Sequence, residues 1–454
     1  MAVSIFDSDI FGKAFTTPEM RLIFSDSEYI RCIIQAEVAL ARAQEHAGLL
    51  PPGTSSEIEI SLDNAKINVH ELAESVLQIG RPIMGLVKQL RAQAGKNSEW
   101  VHFGASTYDI MDTARVLQIK KAISSIEEKI AKTLGIFDTL ISDHGTAIMA
   151  SRSNHMHSAT QTFGLKIAVY AEEFMRHIDR LEDLKFRVLN VQLAGANGTL
   201  NSMGSRGVQT KLRFAEELER GSLDTFWHNA RDGITELGQT LGLICSSIAR
   251  IGQNAAHLQS TEIKEFHEAG ERSRGQSTTL PHKNNPRSAE FTEAVARLGR
   301  QRATGLLETM AQEHDRHGGT YIAEWALLPE VCILTDTALS WLIDLLERLK
   351  IDEARMLSNI WDAGGIVMTE NLVHALAEFM PKSQARLIVE DAAHEATTTC
   401  KPIIDVLTNK VEISQTIPQS ILEEALEPKN STGSSREMVN KISTRLEKFV
   451  KKAK

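Results

Sequence analysis

Cysteine is scarce in this sequence, and the four present do not form a pattern. Cys32, Cys245, Cys332 and Cys400 lie far apart and match no metal-ligand spacing, which excludes a disulfide framework and a zinc module. Their contexts, such as "GLICSS" and "EVCILT", predict reduced residues in the core. Long apolar runs are also missing: no stretch approaches the roughly 18 uninterrupted apolar residues of a membrane span. The N-terminal "MAVSIFDSDIF" has neither the basic nor the apolar region of a secretory signal, so a cytoplasmic protein is expected, with no membrane partner. Excess positive charge is absent too. Lys and Arg number 50 against 59 Asp and Glu, a net charge of −9 that argues against nucleic acid as a partner. A local basic pocket for a small anion remains compatible with that balance.

No strand alternation long enough for a sheet, no internal repeat and no low-complexity segment is present. What is present is helical periodicity with few breakers. At 454 residues, 42% apolar and 24% charged, the chain has the balance of a globular protein of two or three folding units. Between Asp109 and Asp143 there is no proline, and Ile110, Val116, Leu117, Ile123, Ile126, Ile130, Leu134, Phe137 and Ile141 recur mostly at helical spacings. That predicts one helix of roughly 30 residues, far above the usual length. Similar runs cover Phe163 to Leu193, Asp232 to Thr261, Ser288 to Gln312 and Leu328 to Leu349. Shorter helices flank them. One opens with a capping box from Ser25 to Glu28 and stops at Gly48 and the Pro51-Pro52 pair. The expected architecture is all-α with three helical domains: residues 1–110, a long-helix bundle over 111–352, and 353–454. Five helices of this length leave wide apolar faces, which oligomerisation would cover; an elongated monomeric bundle is the alternative.

Four polar connecting segments stand at the ends of the long helices: "SEWVHFGASTYDIMDT" (98–113), "ASRSNHMHSATQTFG" (150–164), "GQSTTLPHKNNP" (275–286) and "QEHDRHGGTYIAEW" (312–325). Taken singly, each reads two ways. His102 is either a packed histidine or a catalyst, and Lys283 either a solvated charge beside a helix N-cap or an anion holder. The His155 and His157 pair lacks the acidic or cysteine partners of a metal site. Their conjunction decides.

Together these segments resemble the fumarase/aspartase superfamily, whose loop signature G-S-S-x-M-P-x-K-x-N-P lies over Gln276 to Pro286 without a gap. "WVHFGASTYDIMDT", "LAGANGTL" and "QSTEIKEF" look like motifs of its adenylosuccinate lyase branch. Gln312 to Arg316, the "AEW" of 323–325, Leu328-Pro329 and "FWHNARD" (226–232) narrow the likeness to the 3-carboxy-cis,cis-muconate cycloisomerases.

The resemblance implies a homotetramer with a twenty-helix core and active sites shared among subunits, no cofactor and no metal. It implies a chemistry in which a proton is exchanged alpha to a carboxylate through an aci-carboxylate, while a group joins or leaves the beta carbon. The substrate would be a small di- or tricarboxylate. Catalytic candidates carried over are Thr278, where the usual base of the loop falls, its neighbour Ser277, His157 and His102. Lys283, Asn285, Arg316, Ser106, Thr107, Asp109 and His282 are the substrate-binding candidates. Three positions depart from the superfamily: Asn154 where a histidine is usual, with His157 three residues later as the candidate acid; Gln276 for glycine; and Thr278 for serine. The expected reaction is lactonisation of a 3-substituted muconate, the substituent being carboxylate or an analogue such as sulfonate. The alternatives are elimination of a nitrogen-bearing group from a succinyl compound, and a non-enzymatic role on a retained fold.

Overall fold

A computed structural model describes residues 4–270 and 274–452. Labelled here are α1 (Asp26–His46), α2 (Thr107–His144), β1 (Ile148–Ser153), β2 (Met156–Thr162), α3 (Phe163–Val188), α4 (Asp232–Leu258), β3 (Phe266–Glu268), α5 (Arg287–Glu308), α6 (Gly318–Arg348), β4 (Leu349–Ile351), α7 (Lys382–Thr399) and α8 (Ser435–Lys452). The protein is all-α, as expected. Its five longest helices are α2, α3, α4, α5 and α6, the five that periodicity predicts. Ser25 caps α1 by accepting from the Glu28 N–H at 3.2 Å.

The chain divides into two compact units, one of Met1–Glu127, His177–Ser246 and Val295–Ala338, the other of Glu128–Arg176, Ser247–Ala294 and Leu339–Lys454. In the first, Ile33, Ala36 and Leu40 of α1 pack with Leu86 and Leu90, with Ile110 and Ala114 of α2, and with Phe214. In the second, Ile360, Leu372, Leu376, Ile388 and Leu407 form a separate core. Each fully buried aliphatic side chain contributes on the order of 1.5–3 kcal/mol, so both cores are ample.

Three features differ from the sequence reading. The polar segment at 150–164 is largely a hairpin: β1 and β2 pair antiparallel, and Asn154 and His155 join them at φ 52° and 66°. Two successive left-handed residues make the tight turn that matches strand twist, and asparagine tolerates that conformation well. β3 and β4 pair antiparallel as well. Second, α6 begins at Gly318 rather than Leu328 and carries Pro329 inside it. By length and composition α6 would cross a membrane, but 61% of its apolar window is buried, as in a core helix. Third, Cys32, Cys245 and Cys332 are buried and reduced, whereas Cys400 is exposed at the left-handed C-cap of α7.

A buried polar cluster of the first unit surrounds Arg231, which is 1% exposed. Its Nη1 lies 3.0 Å from Asp112 Oδ2, its Nε lies 3.0 Å from Glu324 Oε2, and Tyr321 donates to Asp112 at 3.1 Å. The rings of Trp227 and Tyr321 stand 4.8 and 5.4 Å from the guanidinium carbon. One cation thereby joins α2, the start of α4 and α6. Replacing Arg231 with Met would strand two buried carboxylates, which costs about 3–5 kcal/mol. A thermal melt of Arg231→Met is expected to show a clearly lowered midpoint, and an unchanged midpoint would mean that the triad does not tie these segments together.

Candidate active site

Each segment of the Arg231 cluster also carries a residue three positions earlier, and two of these, Asp109 and His228, form a second polar layer. Asp109 precedes Asp112, His228 precedes Arg231, and Tyr321 precedes Glu324 by three positions. Asp109 is fully buried and both its oxygens are occupied. Oδ1 accepts from Ala194 N and from His228 Nε2, each at 2.9 Å, and Oδ2 accepts from Ser106 N at 2.7 Å and Gly195 N at 2.9 Å. Asp109 is the third residue of α2, so its bond to Ser106 is the reciprocal half of a helix cap. The carboxylate folds the site rather than facing a ligand.

Arg316 lies in the same place. Its Nη2 donates to Gly195 O at 2.8 Å and to Ser106 Oγ at 3.2 Å, and it stands 3.1 Å from His228 Nδ1. Its guanidinium carbon is 4.9 Å from the Tyr108 ring centroid. The segment before α6 is held by Asn229, whose Nδ2 donates to His314 O at 2.7 Å. Among the described residues Arg316 has no carboxylate partner, and its Nε and Nη1 make no hydrogen bond. Beside it, Ser106 and Thr107 open the 38-residue α2, where N–H groups and the helix dipole favour an anion.

His102 is in the first unit too, at φ 63°. Its Nδ1 lies 2.6 Å from Glu37 Oε1 on α1. Burial opposes its protonation, but the Glu37 charge and hydrogen bond, helped by Asp109, outweigh that and raise its pKa. Glu37, which the sequence reading left out, sits on the apolar stripe of α1 between Ile33 and Leu40; that position was its only signal.

The second unit holds the loop. Gly275 is at φ 74°, and a β-carbon there would stand 2.3 Å from Asn284 Oδ1 and 2.5 Å from Asn285 O, so glycine alone fits. Asn285 closes the loop by donating both its backbone N–H and its Nδ2 to Gly275 O, each at 2.8 Å. Its amide donor therefore folds the loop. Ser277 Oγ accepts from Thr279 N at 3.3 Å and from Leu280 N at 3.0 Å. Thr278 and His282 are exposed, and neither the Thr278 hydroxyl nor the Lys283 ammonium carries a hydrogen bond among the described residues. The far end of the loop is anchored where Glu268 accepts from Ser288 N at 2.9 Å and Ala289 N at 3.1 Å, capping α5. A cavity of about 270 Å³ is lined by Glu268, Arg274, Gln276, His282, Lys283 and Asn285, among others.

His157 projects from β2, opposite Arg152, and is half-buried. Burial and the Arg152 charge lower its pKa, against the opposing charge of Glu265. Glu265 is fully buried and pairs with Arg152, while Asn359 donates to it at 2.8 Å. Asn154, in the place of the superfamily's usual histidine, is spent on the hairpin turn. No group of three His, Cys, Asp or Glu side chains is placed to hold a metal ion among the described residues.

The structure thus gathers Ser106, Thr107, Asp109 and Arg316 in one unit with His102, and gathers Ser277, Thr278, His282, Lys283 and Asn285 in the loop of the other, with His157 on its hairpin. The sequence reading missed His228, Tyr108 and Arg231, although "FWHNARD" was in view and its His-x-x-Arg spacing matches the Asp109-x-x-Asp112 spacing of α2.

Residues 13–298 match a family model described as lyase, and 365–442 one described as adenylosuccinate lyase C-terminus. A Bradyrhizobium diazoefficiens 3-carboxy-cis,cis-muconate cycloisomerase is 30% identical over 97% of this chain and 99% of its own. Trans-aconitate decarboxylase 1 of Mycosarcoma maydis is 31% identical over 96% and 88%, and the N-acetyl-S-(2-succino)cysteine lyase of Dickeya dadantii 28% over 97% of both chains. The crystal structure of the 3-carboxy-cis,cis-muconate lactonizing enzyme from Pseudomonas putida superposes with a TM-score of 0.91 at 30% identity, covering 97% of this chain and 100% of that one. The chain belongs to the fumarase/aspartase superfamily and is an enzyme of that superfamily.

Proposed function

We propose that the protein is a cycloisomerase that lactonises 3-carboxy-cis,cis-muconate or a 3-substituted analogue. The observation that carries this reading is the full-length likeness, at about 30% identity, to proteins named for that reaction. In the lactonising direction the distal carboxylate adds to the beta carbon and the double-bond electrons move into the adjacent carboxylate. The alpha carbon of this aci-carboxylate then takes one proton. Lys283 holds the developing charge, with Arg316 and the start of α2 taking carboxylates. The enzyme works as a homotetramer of three-domain chains (1–110, 111–352, 353–454) with sites shared among subunits; exposed apolar residues on the long helices, such as Val169, Leu243 and Leu307, support an assembly that covers them.

The proton exchanged at the alpha carbon is assigned to Ser277. A serine hydroxyl works as a base only when its alkoxide is stabilised, and two backbone N–H groups already converge on Ser277 Oγ, while Thr278 has none. Thr278 is the competing assignment, carried by the position of the superfamily's usual base.

Elimination is the second reading, favoured by the relative named N-acetyl-S-(2-succino)cysteine lyase. It places a different demand on His157. A leaving amine or thiolate gains from a proton, whereas a carboxylate that adds or leaves needs none. With its pKa lowered by burial and by Arg152, His157 takes up its proton at a lower pH than an ordinary histidine.

The deciding assay follows diene absorbance with 3-carboxymuconate, 3-sulfomuconate, adenylosuccinate and fumarate with amines. Loss of absorbance with no released product is expected, and release of a nitrogen-bearing product with no lactone would replace the proposal with elimination. Lys283→Ala should lower turnover about 100- to 1000-fold with assembly intact, judged by light scattering; a variant that keeps most of its turnover would put the anion hole elsewhere. Ser277→Ala should abolish turnover while Thr278→Ala remains active, and the reverse ranking would transfer the base to Thr278. If protonated His157 serves as an acid, the rate falls as pH rises through its lowered pKa; lactonisation by His157→Gln with an unaltered pH profile is the expected result.

A further inference from the structure

The guanidinium of Arg81, like that of Arg316, stands near the Tyr108 ring. Its carbon lies 5.7 Å from the Tyr108 ring centroid, against 4.9 Å for Arg316. It also lies 5.5 Å from Tyr321 and 5.1 Å from Trp325, while Tyr108 and Tyr321 stack at 4.1 Å. A β-carbon on Gly318, two residues after Arg316, would be 3.9 Å from Arg81 Nη2.

The mount of Arg81 is rigid. The helix Val69–Ile79 ends in Gly80 at φ 77°, Arg81 accepts on its backbone carbonyl from Ser75 Oγ at 3.0 Å, and Pro82 leads into the helix Ile83–Gln93. A backbone held in such a corner fixes the direction from which the side chain leaves.

Its polar contacts are all neutral: Gly80 O at 2.6 Å and the Tyr108 hydroxyl at 3.4 Å. Neither Arg81 nor Arg316 has a carboxylate partner among the described residues, whereas Arg231, in the same unit, has two. Two half-buried cations of like sign repel each other, and aromatic faces compensate only in part. Trp325 adds a buried Nε1 with no hydrogen-bond partner among the described residues. Unpaired donors of one sign, collected on rigid elements, describe a site for an anion with more than one charged group.

We infer that Arg81 is a specificity-determining residue: with Arg316 it forms a two-guanidinium site that selects a tricarboxylate over the dicarboxylate lacking the third group. The inference rests on the reading of Arg316 as a carboxylate holder. Arg316, bonded to Ser106 and Gly195, holds a carboxylate common to both classes, and Arg81 holds the additional one. A sulfonate in the place of that additional group presents the same charge and oxygen acceptors and is accepted on the same terms.

The test uses equilibrium binding, which reads the site whether or not lactonisation is the reaction. Propane-1,2,3-tricarboxylate and glutarate share the same chain and terminal carboxylates and differ in the central one. The full-length protein is expected to bind the tricarboxylate more tightly. Arg81→Met should weaken the tricarboxylate about 10- to 100-fold and leave glutarate unchanged, with Arg81→Lys between, since losing a hydrogen bond to a charged group has effects of this size. Arg316→Met should weaken both ligands. A thermal midpoint for Arg81→Met equal to that of the wild type separates recognition from folding. Equal weakening of both ligands by Arg81→Met, no weakening of either, or no preference in the wild type would each overturn the inference. Failure of lactonisation with the tricarboxylate preference intact would instead overturn the proposed reaction and leave this site standing.

Discussion

The first unit is organised by one buried cation. Arg231 is bonded to Asp112 from α2 and Glu324 from α6, and is itself placed just before α4. Taking three charges out of water is expensive, and a well-packed apolar substitute would serve stability as well or better. What an apolar cluster does not supply is register, because a carboxylate facing a guanidinium accepts only a narrow range of rotations and translations of its helix. The consequence appears one turn away. With Asp112 and Arg231 fixed, Asp109 and His228 are fixed as well, and they in turn set Ser106, Gly195 and Arg316. Asp112 also feels the cost, since burial raises its pKa against the pull of Arg231.

The candidate groups stand on two kinds of mount. Arg316, Arg81, Ser106 and Thr107 are attached to helix ends and corners held by buried bonds, so their donors point to set positions without ligand. Ser277, Thr278, His282 and Lys283 stand on a short loop whose own hydrogen bonds, from Gly275 to Asn285, determine its shape, with Thr278, His282 and Lys283 exposed and Ser277 half-buried. That contrast matches the two tasks of the proposed chemistry. Binding fixed carboxylates calls for preorganised cations, and exchanging a proton with a carbon calls for a hydroxyl whose charged form is stabilised locally.

Much of the fold was legible because long helices advertise themselves. From 109 to 143 there is no proline and only one glycine, Gly135, and α2 extends only two residues earlier and one later than that span. Legibility failed where one local signal carried two meanings. Pro329 reads as a helix boundary, yet the surroundings hold it inside α6. The hairpin strands contain too many serines and threonines to alternate, so only the Asn154-His155 turn marks them. At the site, histidines and lysines in loops draw attention by residue type, while the groups that position them do not. Glu37, Arg81 and His228 each depend on a contact far away in sequence, with His102, Tyr108 and Asp109 respectively. Neither composition nor spacing contains those pairings. Asn285 was legible as a site residue by type, but its amide is used within the loop.

An anion hole with one proton-exchanging hydroxyl does not by itself choose a reaction. The same intermediate serves any group on the beta carbon, so the choice passes to what that group requires as its bond forms or breaks. A nitrogen or sulfur group leaves more readily with a proton in hand, and a site built for it would keep a charged acid at neutral pH. Here the histidine nearest that role by sequence, His157, is pushed toward its neutral form by burial and by Arg152, whose own carboxylate partner Glu265 is only a partial counterweight. Arg152 is tied down by that buried pairing, so its field on His157 is a fixed feature of the hairpin rather than an accident of one side-chain position. A carboxylate joining the beta carbon asks for no such acid, since it gives up its charge to the new bond, and the carboxylates that keep theirs are met by cations with no carboxylate partner among the described residues, which is how Arg81 and Arg316 stand.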